Sequence, residues 1–185
     1  MTRKRLFAVL PLLLLGLLVL TTAWAAPKLL TDTRGTYRPL GENNWVPLKV
    51  HTGKPLLLVF WASWCAPCVG EIPSLNALYD KFQHSDLKIV AINLDSTNDE
   101  GVRRIIQRHR IRYPVAQPSD DLVQEYAVNA IPASYLYDKN GTLVAEWIGP
   151  PTPEELERNV QTAIRGVPAP PATPTPVSEK VGSNP

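Results

Sequence analysis

Residues 61–73 read WASWCAPCVGEIP and hold both cysteines of the 185-residue chain. Two thiols at this spacing can form a structural bridge, clip a metal or exchange disulfides. A bridge between Cys65 and Cys68 closes so small a loop that it removes little entropy from the unfolded chain, so stability explains it poorly. Zinc wants four ligands and no second Cys/His cluster exists; His51, His84 and His109 are scattered and read as surface or packing residues. Two thiolates at Cys65 and Cys68 could still hold Cu(I), which leaves a copper carrier open. Redox exchange suits the context best. Cys65 stands where a strand ends and a helix begins, and there the free N–H groups and the helix dipole favour a thiolate. Cys68, one turn further in, is placed to attack a mixed disulfide formed at Cys65. Pro67 lacks an N–H in the first helical turn, where none is needed.

The flanking sequence supplies an α/β frame. Leu56 to Phe60 (LLLVF) is a continuous apolar run, as in a strand buried on both faces. From Cys65 or Ala66 to about Phe82 the pattern is helical, with Ile72, Leu75, Leu78, Tyr79 and Phe82 on one face and Pro73 expected to kink it. Leu87 to Leu94 reads as the next strand. A helix capped by Asn98 or Asp99 follows, carrying Val102, Ile105 and Ile106. A short segment lies around Tyr113-Pro114-Val115, and a further helix near Asp121 to Tyr126. Ala133 to Tyr137 and Thr142 to Ile148 form a hairpin across Asp138-Lys139-Asn140-Gly141. Thr152-Pro153-Glu154-Glu155 opens the last helix and Gly166 stops it. Thr36 to Leu40 and Trp45 to Leu48 could pair, with Pro39 and Pro47 confining both strands to a sheet edge. The domain is expected over residues 36–166, with helices on both faces of a central mixed sheet.

Both chain ends fall outside that domain. Arg3, Lys4 and Arg5 precede 21 uncharged residues, 6–26, ending in Ala23-Trp24-Ala25. The stretch reads as a signal peptide cut after Ala25, or as an uncut membrane anchor. Either places the rest of the chain outside the cytoplasm, in agreement with the positive-inside rule. Residues 167–185 hold six prolines and almost nothing bulky, so a disordered tail is expected. The formal charge is +2, and without Arg3, Lys4 and Arg5 there remain 16 basic against 17 acidic residues. With no overall sign imbalance and no basic stripe read from the sequence, nucleic acid is not expected as a partner.

Trp64-Cys65-Ala66-Pro67-Cys68, preceded by Phe60-Trp61-Ala62 and followed by Pro73, resembles the thioredoxin superfamily's W-C-x-P-C motif. Ala130-Ile131-Pro132-Ala133 is similar to that family's cis-proline loop, which faces the dithiol. Val59 stands where cytoplasmic thioredoxins carry a buried acid. Glu71 instead gives a C-x-x-C-x-x-E-x-P spacing that resembles the extracytoplasmic TlpA/ResA/CcmG-like branch, as does the order of elements over residues 111–149.

The resemblance implies a thioredoxin-like fold and a thiol:disulfide oxidoreductase. In it Cys65 attacks, Cys68 resolves and Glu71, expected half-buried, moves protons. Trp64, Ala66, Pro67, Ile131 and Pro132 border the substrate chain, and the Ile131 backbone pairs with it. No organic cofactor is implied beyond the Cys65–Cys68 disulfide itself. The branch suggests a protein disulfide as substrate, of apocytochrome c or of a metal-site assembly protein; because neither cysteine can recycle itself, a membrane dithiol protein is expected as electron donor, and the protein is expected to be a monomer. Ala66-Pro67 supplies no histidine to stabilise the Cys65 thiolate, which favours a reductant. A disulfide-forming oxidant and a Cu(I) chaperone are the competing readings.

Overall fold

The computed structural model describes residues 29–95 and 99–166. The expected signal peptide or anchor, the Pro-rich tail and a cap at Asn98 lie outside the described residues. Among the described residues no helix is long and apolar enough to cross a membrane.

Seven strands form one mixed sheet: β1 (Thr36–Pro39), β2 (Val46–Pro47), β3 (Leu56–Trp61), β4 (Lys88–Asn93), β5 (Val115–Pro118), β6 (Ala133–Tyr137) and β7 (Leu143–Ile148). Their spatial order is β2-β1-β5-β4-β3-β6-β7. Strands β3, β4 and β5 are parallel, and β6, β7, β1 and β2 join by antiparallel pairing. The helices are α1 (Ala66–Phe82), α2 (Asp99–His109), α3 (Asp120–Tyr126) and α4 (Pro153–Arg165).

All six residues of β3 are buried, because both faces of the sheet are covered and alternate residues feed opposite cores. Leu57, Val59 and Trp61 join Leu75 and Leu78 of α1, Val102 of α2, and Leu156 and Val160 of α4. Leu56, Leu58 and Phe60 join Leu122 and Tyr126 of α3, together with Leu30 and Leu48 from two short 3-10 turns. Helix α1 continues through Pro73, which removes one intrahelical donor without ending the helix. Helix α4 begins as its sequence predicts: the Thr152 hydroxyl accepts the Glu155 N–H at 3.2 Å, and Gly166 ends it in the left-handed region at φ 73°.

One strand is placed differently from expectation. Of the first two strands β2 alone is an edge; β1 lies between β2 and β5. Pro39 is tolerated there because it is the last residue of β1, paired with Ala116, and the ladder resumes beyond it with the Leu40 N–H donating to the Val115 carbonyl at 2.9 Å. At β1's other end Gly35 sits so close to α3 that a Cβ would lie 2.9 Å from the Leu122 Cα.

Candidate active site

Strand β3 delivers the chain to one pole of the sheet, and the loop from Ala62 to Trp64 turns it into α1. Cys65 is the N-cap of α1, and its sulfur accepts the Cys68 N–H at 3.3 Å. Ala66 and Pro67 occupy the exposed first turn. Cys65 and Cys68 are joined in a disulfide with the sulfurs 2.04 Å apart. Both are buried, in the same core cluster as Trp61.

The loop before β6 closes the other side of the site. The Ile131–Pro132 peptide bond is cis, and the Ile131 carbonyl oxygen lies 3.8 Å from Cys65 Sγ. Pro132 is buried and Ile131 half-buried. Around this junction Trp64 is 72 % exposed. The structure therefore brings Trp64, Cys65, Ala66, Pro67, Cys68, Ile131 and Pro132 to one pole. It adds the end of β7, which the sequence reading treated only as strand. The Gly149 N–H donates to the Pro132 carbonyl at 2.8 Å, and the neighbouring Ile148 is 63 % exposed. An exposed apolar rim around a disulfide suits an extended polypeptide better than a small polar molecule.

Glu71 is more deeply buried than the half-burial expected of it, at 5 % exposure. Neither carboxylate oxygen has a hydrogen-bond partner among the described residues. It lies one helical turn beyond Cys68 on α1. Burial without a counter-charge disfavours the carboxylate and pushes its pKa up to about 7. Tyr113, just before β5, is buried nearby; burial first, and the Glu71 charge second, raise its phenol. The sequence places Tyr113 only in a short segment with Pro114 and Val115 and not in the site, because nothing local marks a tyrosine 42 positions from Glu71 as its neighbour.

Asp95, just beyond β4, was also missed. Its carboxylate accepts the Ser63 N–H at 2.8 Å and the Ser63 hydroxyl at 3.0 Å. The Asn93 amide donates to the same carboxylate at 2.6 Å, and the Leu94 N–H donates to the Trp61 carbonyl at 2.8 Å. These bonds clamp the loop that carries Trp64 and Cys65 onto the end of β4. The available signal was Asn93 and Asp95 closing an apolar strand at its carboxyl end, where α/β sheets place their sites. No group of three or more His, Cys, Asp or Glu side chains converges as a metal site among the described residues. His51 instead packs against Tyr37, with its Nε2 2.8 Å from the phenol oxygen.

A thioredoxin-like fold that carries a Cys-x-x-Cys disulfide at a helix N-terminus, opposite a cis-proline loop, defines a thiol–disulfide oxidoreductase. Residues 30–146 match the AhpC/TSA family, and the chain belongs to that family. It is 36 % identical over 117 residues to thiol-disulfide oxidoreductase ResA of Bacillus thuringiensis (strain Al Hakam), covering 63 % of this chain and 67 % of the relative. It is 33 % identical over 120 residues to sporulation thiol-disulfide oxidoreductase A of Bacillus subtilis (strain 168), covering 63 % and 71 %. Among solved structures, StoA from Bacillus subtilis superimposes with a TM-score of 0.56 at 28 % identity, over 67 % of this chain and 93 % of that one. The chain is thus an enzyme of the ResA and StoA type, with Cys65 and Cys68 as its cysteine pair.

Proposed function

We propose that this enzyme works outside the cytoplasm as a reductant of protein disulfides. Cys65 attacks a client disulfide, and one client sulfur leaves as a thiolate. Cys68 then attacks the mixed disulfide, freeing the second client thiol. Two electrons pass to the client and the enzyme is left with the Cys65–Cys68 disulfide. Glu71 takes the proton that Cys68 loses. Trp64, Ala66, Pro67 and Ile131-Pro132 border the client chain. A membrane dithiol protein restores the reduced pair, and the enzyme acts as a monomer. The client is a cysteine pair awaiting haem, as in apocytochrome c, or awaiting a metal.

The observation that carries this direction is the environment of Cys65. Among the described residues its sulfur receives one hydrogen bond, from the Cys68 N–H, and the Ala66-Pro67 pair brings no cation. With the helix N-terminus but no cation to support the thiolate, the dithiol is less stable relative to the disulfide than in a strong oxidant, which lowers the potential. A charged Glu71 one turn away would weaken that thiolate further. Export rests on the Arg3-Lys4-Arg5 cluster and the apolar run that follows it.

The test is the equilibrium of the purified pair with a thiol buffer, together with its redox state in cells after acid quenching and thiol labelling. A potential near that of thioredoxin, about −270 mV, and a mostly reduced pair in the cell are expected. A potential near that of DsbA, about −120 mV, with a mostly oxidised pair would make the enzyme an oxidant instead.

A further inference from the structure

The near-neutral charge of the chain conceals a local imbalance that the sequence reading passed over. Between Gly101 and Ser119 there are five arginines and no acidic residue, although Asp99 and Glu100 open the same helix. Apart from these and Arg3, Lys4 and Arg5, the chain carries eleven basic residues against seventeen acidic ones. The structure gathers the five on α2 and the turn after it. Val102 is buried, and Ile105 and Ile106 are half-buried against the core. The helical period then leaves Arg103, Arg104 and Arg108 on the exposed face, with Arg110 exposed just beyond. Arg112 is paired with Asp80. The other four have no carboxylate partner among the described residues.

The place of this face in the fold constrains its partner. Helix α1 starts at the disulfide and runs away from it. The carbonyls of His109 and Arg110 accept from the Asn76 amide in its middle, and Arg112 meets Asp80 a turn further on. The basic turn therefore lies along the half of α1 farthest from Cys65. The chain enters the domain at that same far end: Leu29 bridges to Thr142, and the Leu30 N–H donates to Gly141 in the turn between β6 and β7, opposite Pro132.

We propose that the α2 arginines form a docking face for anionic phospholipid headgroups, holding the domain on a membrane with the disulfide pole turned outward. Guanidinium groups match phosphate geometry with paired hydrogen bonds. The exposed face of α2 offers no apolar anchor of the kind a protein interface needs at its centre. A client bound along Arg108 and Arg110, at the end of α2 that meets Asn76, would also sit away from the disulfide it must reach. A charged, extended surface meets both conditions. The export reading supplies the occasion for meeting such a surface, but the binding itself is measured without redox chemistry, so it stands or fails independently of the electron direction.

The experiment uses the full chain with whatever N-terminus the expressing cell leaves. Arginine modification by phenylglyoxal is read residue by residue, with phosphatidylcholine vesicles made with and without phosphatidylglycerol. Protection of Arg103, Arg104, Arg108 and Arg110 is expected only with phosphatidylglycerol, while Arg34 and Arg158 stay reactive. High salt should abolish it, because the Debye length falls to about 3 Å at 1 M. R103Q/R104Q/R108Q should lower the phosphatidylglycerol-dependent affinity by about a hundredfold, since each basic group near an anionic surface contributes roughly fivefold. Turnover of a soluble peptide disulfide should be unchanged. Equal reactivity with both vesicles would overturn the proposal. Protection by polyglutamate but not by phosphatidylglycerol would overturn it too, and assign the face to an acidic protein.

Discussion

The Asp95 carboxylate holds both the backbone N–H and the hydroxyl of Ser63, at 2.8 and 3.0 Å, across 32 residues of sequence. Ser63 lies two residues before Cys65, so this contact sets where the N-cap sulfur sits relative to the Ile131 carbonyl. Asp95→Ala leaves the Ser63 donors and the Asn93 amide without their acceptor, a loss of about 1–3 kcal/mol. Small misplacements of a reacting group cost up to roughly a hundredfold in rate. We expect kcat/KM on a peptide disulfide to fall at least about tenfold, with Ser63→Ala milder because its N–H remains. Stopped-flow turnover beside thermal melting checks this. A melting shift with unchanged turnover would reduce Asp95 to a purely structural role.

The cysteines should separate by role. Cys65 has the cis-proline loop beside it, whereas Cys68 is 3 % exposed and a turn deeper. Cys68→Ser should therefore accumulate a mixed disulfide with a peptide substrate, visible as the summed mass under non-reducing conditions. Cys65→Ser should trap nothing. Trapping by Cys65→Ser instead would exchange the roles of the two sulfurs.

Much of the frame was legible because its signals are local. The apolar run of β3, the Asp138–Gly141 turn and the Thr152–Glu155 cap each lie within a few residues of the element they define. What escaped depends on distant pairing. Strand β1 is interior only because β5, some 80 residues later, lies beside it. Asp95 matters only because β4 ends next to the Ser63 loop. Glu71 was expected to be half-buried, since one helix's period cannot show what Tyr113 and the sheet add above it. The α2 arginines looked unremarkable in composition, and became a face only once Ile105 and Ile106 fixed which side of the helix turns inward.

Trp64 should contribute to binding rather than to chemistry. Its side chain is 72 % exposed beside the disulfide, with Ile148 exposed near the same junction. An aromatic that touches the client equally before and during exchange lowers KM without changing kcat. Trp64→Ala is expected to raise KM for a protein disulfide several-fold and to leave turnover of a small aromatic disulfide almost unchanged. A matching fall in kcat for both substrates would place Trp64 in the exchange step itself.

Glu71 makes two linked pH predictions. Its folded pKa of about 7 stands above its ordinary value of 4.5, so below pH 4.5 it is protonated in both the folded and unfolded chain and has no effect. Between those values the unfolded chain has released its proton while the folded one keeps it, so stability falls as pH rises. The full loss, reached above about pH 7, is on the order of 3 kcal/mol. Oxidised wild-type protein should therefore melt progressively lower from pH 5 to 8, and Glu71→Gln, which has no charge to bury, should not follow it. The same titration governs proton transfer. Glu71→Gln should slow release of product from the Cys65 mixed disulfide most above pH 7, where the wild-type carboxylate is ready to accept the Cys68 proton. If resolution keeps its wild-type rate from pH 6 to 9 while the melting difference persists, Glu71 is a buried acid with a stability role and the proton leaves Cys68 by another route.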